Sequence, residues 1–113
     1  MKIITEKTAE VLVIHPEGRL DTMTAGEFEK EVTPLIQQSE QNVLIDFEKL
    51  DYISSAGLRS VLILAKEIKK KGKSLALCCL NETIKEVFRI SGFDTIISIF
   101  PTLEEGLSFL KGN

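Results

Sequence analysis

Apolar and polar positions change rhythm along the chain, and each change marks an element. Lys2 to Glu6 and Val11 to His15 are two strand-like segments split by polar residues, which predicts a β-hairpin. Pro16-Glu17-Gly18 is expected to stop the second strand. The period then becomes helical. Thr24-Ala25-Gly26-Glu27 reads as a capping box, followed by Phe28, Val32, Leu35 and Ile36 on one face. Pro34 removes an internal hydrogen bond and is expected to kink this helix. Asn42 to Phe47 is a nearly continuous apolar run of the kind found in strands covered on both faces, so it belongs at the sheet centre.

After an expected loop, Glu48 to Ile53, a second helix is marked by Leu58, Val61, Leu62, Ala65 and Ile68 at helical spacing. Lys69-Lys70-Lys71-Gly72 supplies its cationic last turn and glycine stop. Leu75 to Leu80 is the next strand. Asn81 caps a helix with Ile84, Val87 and Phe88 inward and Gly92 as its stop. Thr95 to Phe100 reads as the last strand. Thr102-Leu103-Glu104-Glu105 is a second capping box, opening a helix with Leu103, Leu107 and Leu110 inward.

The resulting order, ββαβαβαβα, calls for right-handed crossovers and an α/β fold. Its mixed sheet is parallel from Val11 onward, with one antiparallel hairpin strand at an edge. Ligands and partners of such sheets meet the loops at the carboxyl ends of the parallel strands, here Glu17 to Met23 and Glu48 to Ser54.

Composition narrows the function. A chain of 113 residues without a Ser/Gly/Pro-rich linker or repeat reads as one domain over residues 1–113. Its 43% apolar and 27% charged residues are those of an ordinary soluble protein. A formal charge of -3 disfavours nucleic acid, whose binders carry a basic patch, and favours a protein partner. No apolar stretch approaches the roughly 18 residues of a membrane span, and the amino terminus carries no cleavable leader pattern. A cytoplasmic location without membrane insertion is expected. Cys78 and Cys79, adjacent in an expected strand, should point to opposite faces and stay reduced, one of them as a core thiol. No metal or cofactor is implied.

Two turns carry the specific signal: Gly18-Arg19-Leu20-Asp21-Thr22, and Leu50-Asp51-Tyr52-Ile53-Ser54-Ser55-Ala56-Gly57-Leu58-Arg59. Together with the hairpin and the strand ending in Asp46, in this order and spacing over nearly the whole chain, they resemble the STAS family of anti-sigma factor antagonists. The resemblance implies a STAS-like sandwich and a non-enzymatic partner switch. In that family a serine ahead of the helix, in a pattern like Asp-Ser-Ser/Thr/Ala-Gly-Leu, is phosphorylated by the partner anti-sigma factor, itself a serine kinase. Aligned on Gly57-Leu58, this serine is Ser55, and Ser54 stands where an aspartate commonly precedes it. The resemblance places Asp21 near the acceptor or the partner surface. Asp21, Thr22, Ser54, Ser55, Gly57 and Arg59 form the expected partner-binding set. The unphosphorylated form would bind the anti-sigma factor and free a sigma factor, and a phosphoserine phosphatase would reset the switch.

Plainer readings stand beside these. A serine before a helix is commonly an N-cap, and Gly18, Asp21 and Thr22 are also common turn residues. A second reading of the same family is a STAS subunit of an ABC-type lipid transporter, never phosphorylated. A receiver domain would need paired acidic residues where Val13-Ile14-His15-Pro16 stands. Gly72-Lys73-Ser74 echoes the end of a phosphate-binding loop, but Glu67 occupies the upstream glycine position and the order runs from helix to strand. The lysines from Lys66 to Lys73 read as a solvated helix end. His15 joins no serine or cysteine in a catalytic motif, so no enzyme is expected.

Overall fold

The computed structural model describes residues 1–112. Strands β1 (Lys2–Lys7) and β2 (Val11–Leu20) form the expected antiparallel hairpin, with Ile3 opposite Pro16 and Lys7 opposite Leu12. Helix α1 (Ala25–Gln38) leads to β3 (Asn42–Asp46) and β4 (Leu50–Ile53). Helix α2 (Ser55–Lys70), β5 (Leu75–Cys78), α3 (Glu82–Ser91), β6 (Ser98–Phe100) and α4 (Leu103–Lys111) complete the chain. The main sheet runs β1-β2-β3-β5-β6, parallel from β2 onward, with β1 antiparallel at one edge.

Alternation along the strands sorts side chains onto two layers. Leu12, Ile14, Val43, Ile45 and Leu77 meet Phe28, Val32 and Ile36 of α1, Val61, Leu64 and Ile68 of α2, and Ile84 and Phe88 of α3. Val11, Val13, Leu44, Ala76 and Cys78 face the other way, against Leu103, Leu107 and Leu110 of α4. Burying each large aliphatic side chain in these layers is worth roughly 1.5 to 3 kcal/mol. Leu64, fully buried, belongs to the α2 stripe although the sequence pattern did not single it out.

Several expectations are corrected. The second strand does not stop at Pro16-Glu17-Gly18 but continues to Leu20. Its parallel pairing with β3 ends at Ile14 and that with β4 begins at Gly18, so Pro16 sits in the gap, where its missing N–H removes no parallel-ladder bond. Gly18, at φ +97°, allows the register shift that follows it. The segment Glu48 to Ile53 is not simply a loop: Leu50–Ile53 is a strand, which makes the order ββαββαβαβα. Its ends, Leu50 and Ile53, are buried while Asp51 and Tyr52 are exposed, a pattern too short to show a period.

At the carboxyl side, β5 ends at Cys78, and the last strand keeps only Ser98–Phe100 because a 3-10 turn over Phe93–Thr95 takes its beginning. Cys79 does not continue the strand with its side chain opposite Cys78. It is left-handed, at φ 63°, and its sulfur turns back toward that of Cys78. Asn81 does cap α3 through the Ile84 amide at 2.8 Å, and Gly92 ends that helix at φ +80°. Thr102 likewise caps α4 through the Glu105 amide at 3.1 Å.

Candidate functional site

The partner change of β2 builds the site. Beyond Gly18 the strand lies beside β4, with Arg19 opposite Tyr52 and Leu20 opposite Ile53. Both strands then end together: the Ser54 amide donates to the Leu20 carbonyl at 3.0 Å. One turn into α2, Gly57 is pressed against that same carbonyl. A Cβ there would stand 2.3 Å from Leu20 O and 2.9 Å from Leu20 Cγ, closer than real carbon contacts allow. Glycine is thus required for the start of α2 to reach the end of β2.

The two serines divide the work of a helix start. Ser54 has extended backbone and its Oγ accepts the Gly57 N–H at 3.2 Å, so it is the N-cap. Ser55 is the first residue of α2 and exposed. Its hydroxyl lies where free amides and the helix dipole favour an anion, by roughly 0.3 to 1 kcal/mol. Of the two hydroxyls the exposed one is Ser55, while that of Ser54 is committed to the cap.

The expected capping box at Thr24 is not formed. Asp21 takes the role one turn earlier, because the chain already turns helically from there: the Ala25 amide donates to Asp21 O at 2.8 Å. The Asp21 Oδ1 accepts the amides of Met23 at 3.0 Å and Thr24 at 3.2 Å. Thr24 Oγ1 accepts the Asp21 amide at 2.9 Å and donates to the Arg19 carbonyl at 2.8 Å, and Glu27 pairs with the amino group of Met1 instead of reaching back. On the outer side Asp21 Oδ2 lies 3.4 Å from Arg19 Nε, and the Arg19 guanidinium stacks 4.2 Å above the Tyr52 ring. Partial desolvation pushes the Asp21 carboxyl up. The Met23 amide, the Arg19 guanidinium and the amide and hydroxyl of Thr24 outweigh it and hold the group below its ordinary value.

Thr22 is exposed at the first turn, and Arg59 is exposed one helical turn after Ser55. Asp21, Thr22, Ser54, Ser55, Gly57 and Arg59 therefore gather at one end of the molecule, with Gly57 buried beneath the others. Three neighbours were not singled out by the sequence reading: Arg19, Tyr52 and Met23, whose side chain is 87% exposed. Both Arg19 and Tyr52 lie within the quoted turns, but only the β2–β4 register shows that they stack. Chemically, the site offers an exposed hydroxyl and a contact surface. The one histidine, His15, is not part of it: both ring nitrogens face carboxylates, Nδ1 at 2.9 Å from Asp46 and Nε2 at 2.6 Å from Glu6.

The family model of the STAS domain matches residues 2–106. The chain belongs to the STAS family. Among its relatives, a Bordetella bronchiseptica protein named as an anti-sigma factor antagonist, BtrV, is 40% identical over 101 residues, covering 89% of this chain and 84% of that protein. A Thermotoga maritima structure described as an anti-sigma factor antagonist superposes with a TM-score of 0.90 at 22% identity, covering 96% and 94% of the two chains. The Bacillus cell fate determinant SpoIIAA, solved in its phosphorylated form, matches with a TM-score of 0.73 at 25% identity over 95% and 97%. The mixed α/β sheet of this chain is the STAS fold. Among the described residues no helix is long and apolar enough to cross a membrane.

Proposed function

We propose that this STAS chain is an anti-sigma factor antagonist that works by partner switching in the cytoplasm, without catalysis of its own. Its unphosphorylated form binds an anti-sigma factor that is also a serine kinase, and so releases a sigma factor. Phosphorylation of Ser55 ends the binding, and a phosphoserine phosphatase restores it. The observation that carries this reading is the division between Ser54, spent on the cap, and Ser55, exposed at the first turn of α2. The names of the relatives and the existence of a phosphorylated form of SpoIIAA support it. Around Ser55, the exposed Thr22, Met23, Tyr52 and Arg59 offer the mixture of apolar, aromatic and cationic groups from which protein contacts are built.

The switch follows from magnitudes. A phosphate adds about 1.5 to 2 negative charges, which the helix start accommodates, so the fold persists. In an interface shaped around a neutral hydroxyl the same charge must be desolvated, at a cost of several kcal/mol. About 3 kcal/mol is already over 100-fold in affinity. Ser55→Asp should therefore fold normally and bind the anti-sigma factor much more weakly, whereas Ser55→Ala binds and cannot be switched off. Calorimetric titration of both variants, with circular dichroism as a folding check, tests the mechanism. Equal affinities would favour a constitutive subunit of a transporter. Mass spectrometry after incubation with ATP and the kinase locates the phosphate, and modification of Ser55→Ala at Ser54 would shift the acceptor by one residue.

A further inference from the structure

On the same carboxyl edge of the sheet, a second cluster gathers at the ends of β3 and β5. Two adjacent residues of an extended strand point to opposite faces. Cys79 breaks that rule as the one non-glycine residue at positive φ among the described residues, held there by its amide donating to Phe100 O at 3.1 Å. Left-handed backbone is sparse for a cysteine and concentrates where a structure uses it. Here it brings the sulfurs of Cys78 and Cys79 and a carboxylate oxygen of Asp46 within 4.8 Å of one another. Cys78 is fully buried and Asp46 is 7% exposed.

The carboxylate is aimed. Its Oδ1 accepts the Glu48 amide at 3.0 Å and the Cys78 thiol at 3.8 Å. Its Oδ2 takes the bond from His15 Nδ1 at 2.9 Å, and the ring is steadied by Glu6 on its other side at 2.6 Å. Ligands around a tetrahedral zinc ion, with Zn–S near 2.3 Å and Zn–O near 2.1 Å, lie about 3.6 to 3.8 Å apart. The Asp46–Cys78 spacing already matches that value, and the remaining separations need close by no more than about 1 Å to do so. A cleft of about 310 Å³ opens onto Asp46 between the hairpin and α4, and the carboxylates of Glu6, Glu17 and Glu48 outnumber Lys49 along it. A cation therefore has an attraction, and a route as far as Asp46, behind which the two thiols lie.

We propose that Asp46, Cys78 and Cys79 form a site for a thiophilic divalent cation of the zinc class, with His15 as a positioning residue behind Asp46. The two thiols and the carboxylate are three of four tetrahedral ligands, and water takes the fourth position. A thiol binds such a metal as its thiolate, so each cysteine gives up its proton on binding. Binding is a ligand exchange without redox change: two S–H bonds give two metal–thiolate bonds and release two protons to solvent.

Titration of the full chain, kept reduced by a non-chelating phosphine, with cadmium and with zinc tests this directly. The expected result is one ion per chain, a thiolate-to-cadmium charge-transfer band, release of about two protons and a raised unfolding temperature. Cys79→Ser, at the less buried position, should fold and lose most of the band. His15→Gln should keep the stoichiometry and weaken binding by about 10- to 100-fold, as loss of an outer hydrogen bond to a ligand does. Absence of the band in the folded chain, or equal zinc affinity in the Cys78→Ala/Cys79→Ser double variant, would overturn the proposal. Should that double variant not fold, an unchanged affinity in Cys79→Ser alone overturns it equally.

Discussion

Gly57 has no space for a single methyl group, because Leu20 O and Leu20 Cγ already occupy it. Gly57→Ala must therefore push the start of α2 away from β2, and overpacking of this kind costs about 1 to 3 kcal/mol. Urea unfolding should show that loss, and partner affinity should fall with it, since Ser54 and Ser55 ride on the displaced turn. Asp21 yields a prediction of a different sort. Its carboxyl is held below the ordinary 3.8, so its bonds contribute stability above the unfolded-state value, and that contribution is lost as pH falls through the lower folded value. The stability gap between the native chain and Asp21→Asn should hold steady near neutrality and close in acid, below about pH 4; a gap that widens there would contradict the assignment. The turns that carry Asp21, Ser55 and Gly57 were legible in the sequence because turn chemistry is local, whereas Ser55 was singled out by the family resemblance and the capping role of Asp21 was missed. The stacking of Arg19 on Tyr52 was not, since it arises from register between strands more than thirty residues apart in the chain.

Helix ends show the same division between local and distant causes. The lysine run at the end of α2 has the pattern of a solvated terminus of its own helix, yet Lys71 reaches across to the end of α1. Its Nζ donates to the carbonyls of Ile36 at 2.9 Å and Gln37 at 2.7 Å, and also to that of Ser39. A helix C-terminus runs short of amides for such carbonyls, although Ile36 O also accepts the Ser39 amide at 3.2 Å, and α1 carries no basic residue in its own last turn. Lys71→Met should cost about 1 to 2 kcal/mol, whereas Lys70→Met, whose amine lies 3.9 Å from Glu67 on the surface, should change stability by less than about 0.5 kcal/mol. Thermal unfolding of the pair distinguishes a distant cap from a general effect of charge. All four helices were readable from apolar spacing, with the caps of α3 and α4 as expected and that of α1 misread. Strand β4 was not, because Leu-Asp-Tyr-Ile offers only two buried positions and is a strand by virtue of its neighbour β2.

Across the whole molecule the two sheet faces are covered unequally, three helices on one and α4 alone on the other. Leu110, 1% exposed, anchors that single helix, and Gly106 lets it approach, since a Cβ there would lie 2.8 Å from Leu44 Cδ1. Leu110→Ala should cost about 2 to 5 kcal/mol and speed the labelling of Cys78 by an aromatic disulfide reagent; unchanged labelling would mean that α4 does not guard this face. The α/β order and the edge position of the hairpin were legible as alternation. The switch of β2 between neighbours was hidden, since nothing in Pro16-Glu17-Gly18 distinguishes a strand's end from its bulge. That switch partitions the protein's cooperativity. Before the bulge, Val11 to Ile14 are locked in a multi-stranded ladder; after it, only the short stretch Gly18 to Leu20 pairs with β4. The signalling end can thus breathe as a small unit of its own, opening and reclosing while the main sheet stays intact. Amide hydrogens of Leu20 and Ile53 should exchange with solvent far sooner than those of Val13 and Ile45, and a partner seated on the two turns should slow the first pair without touching the second.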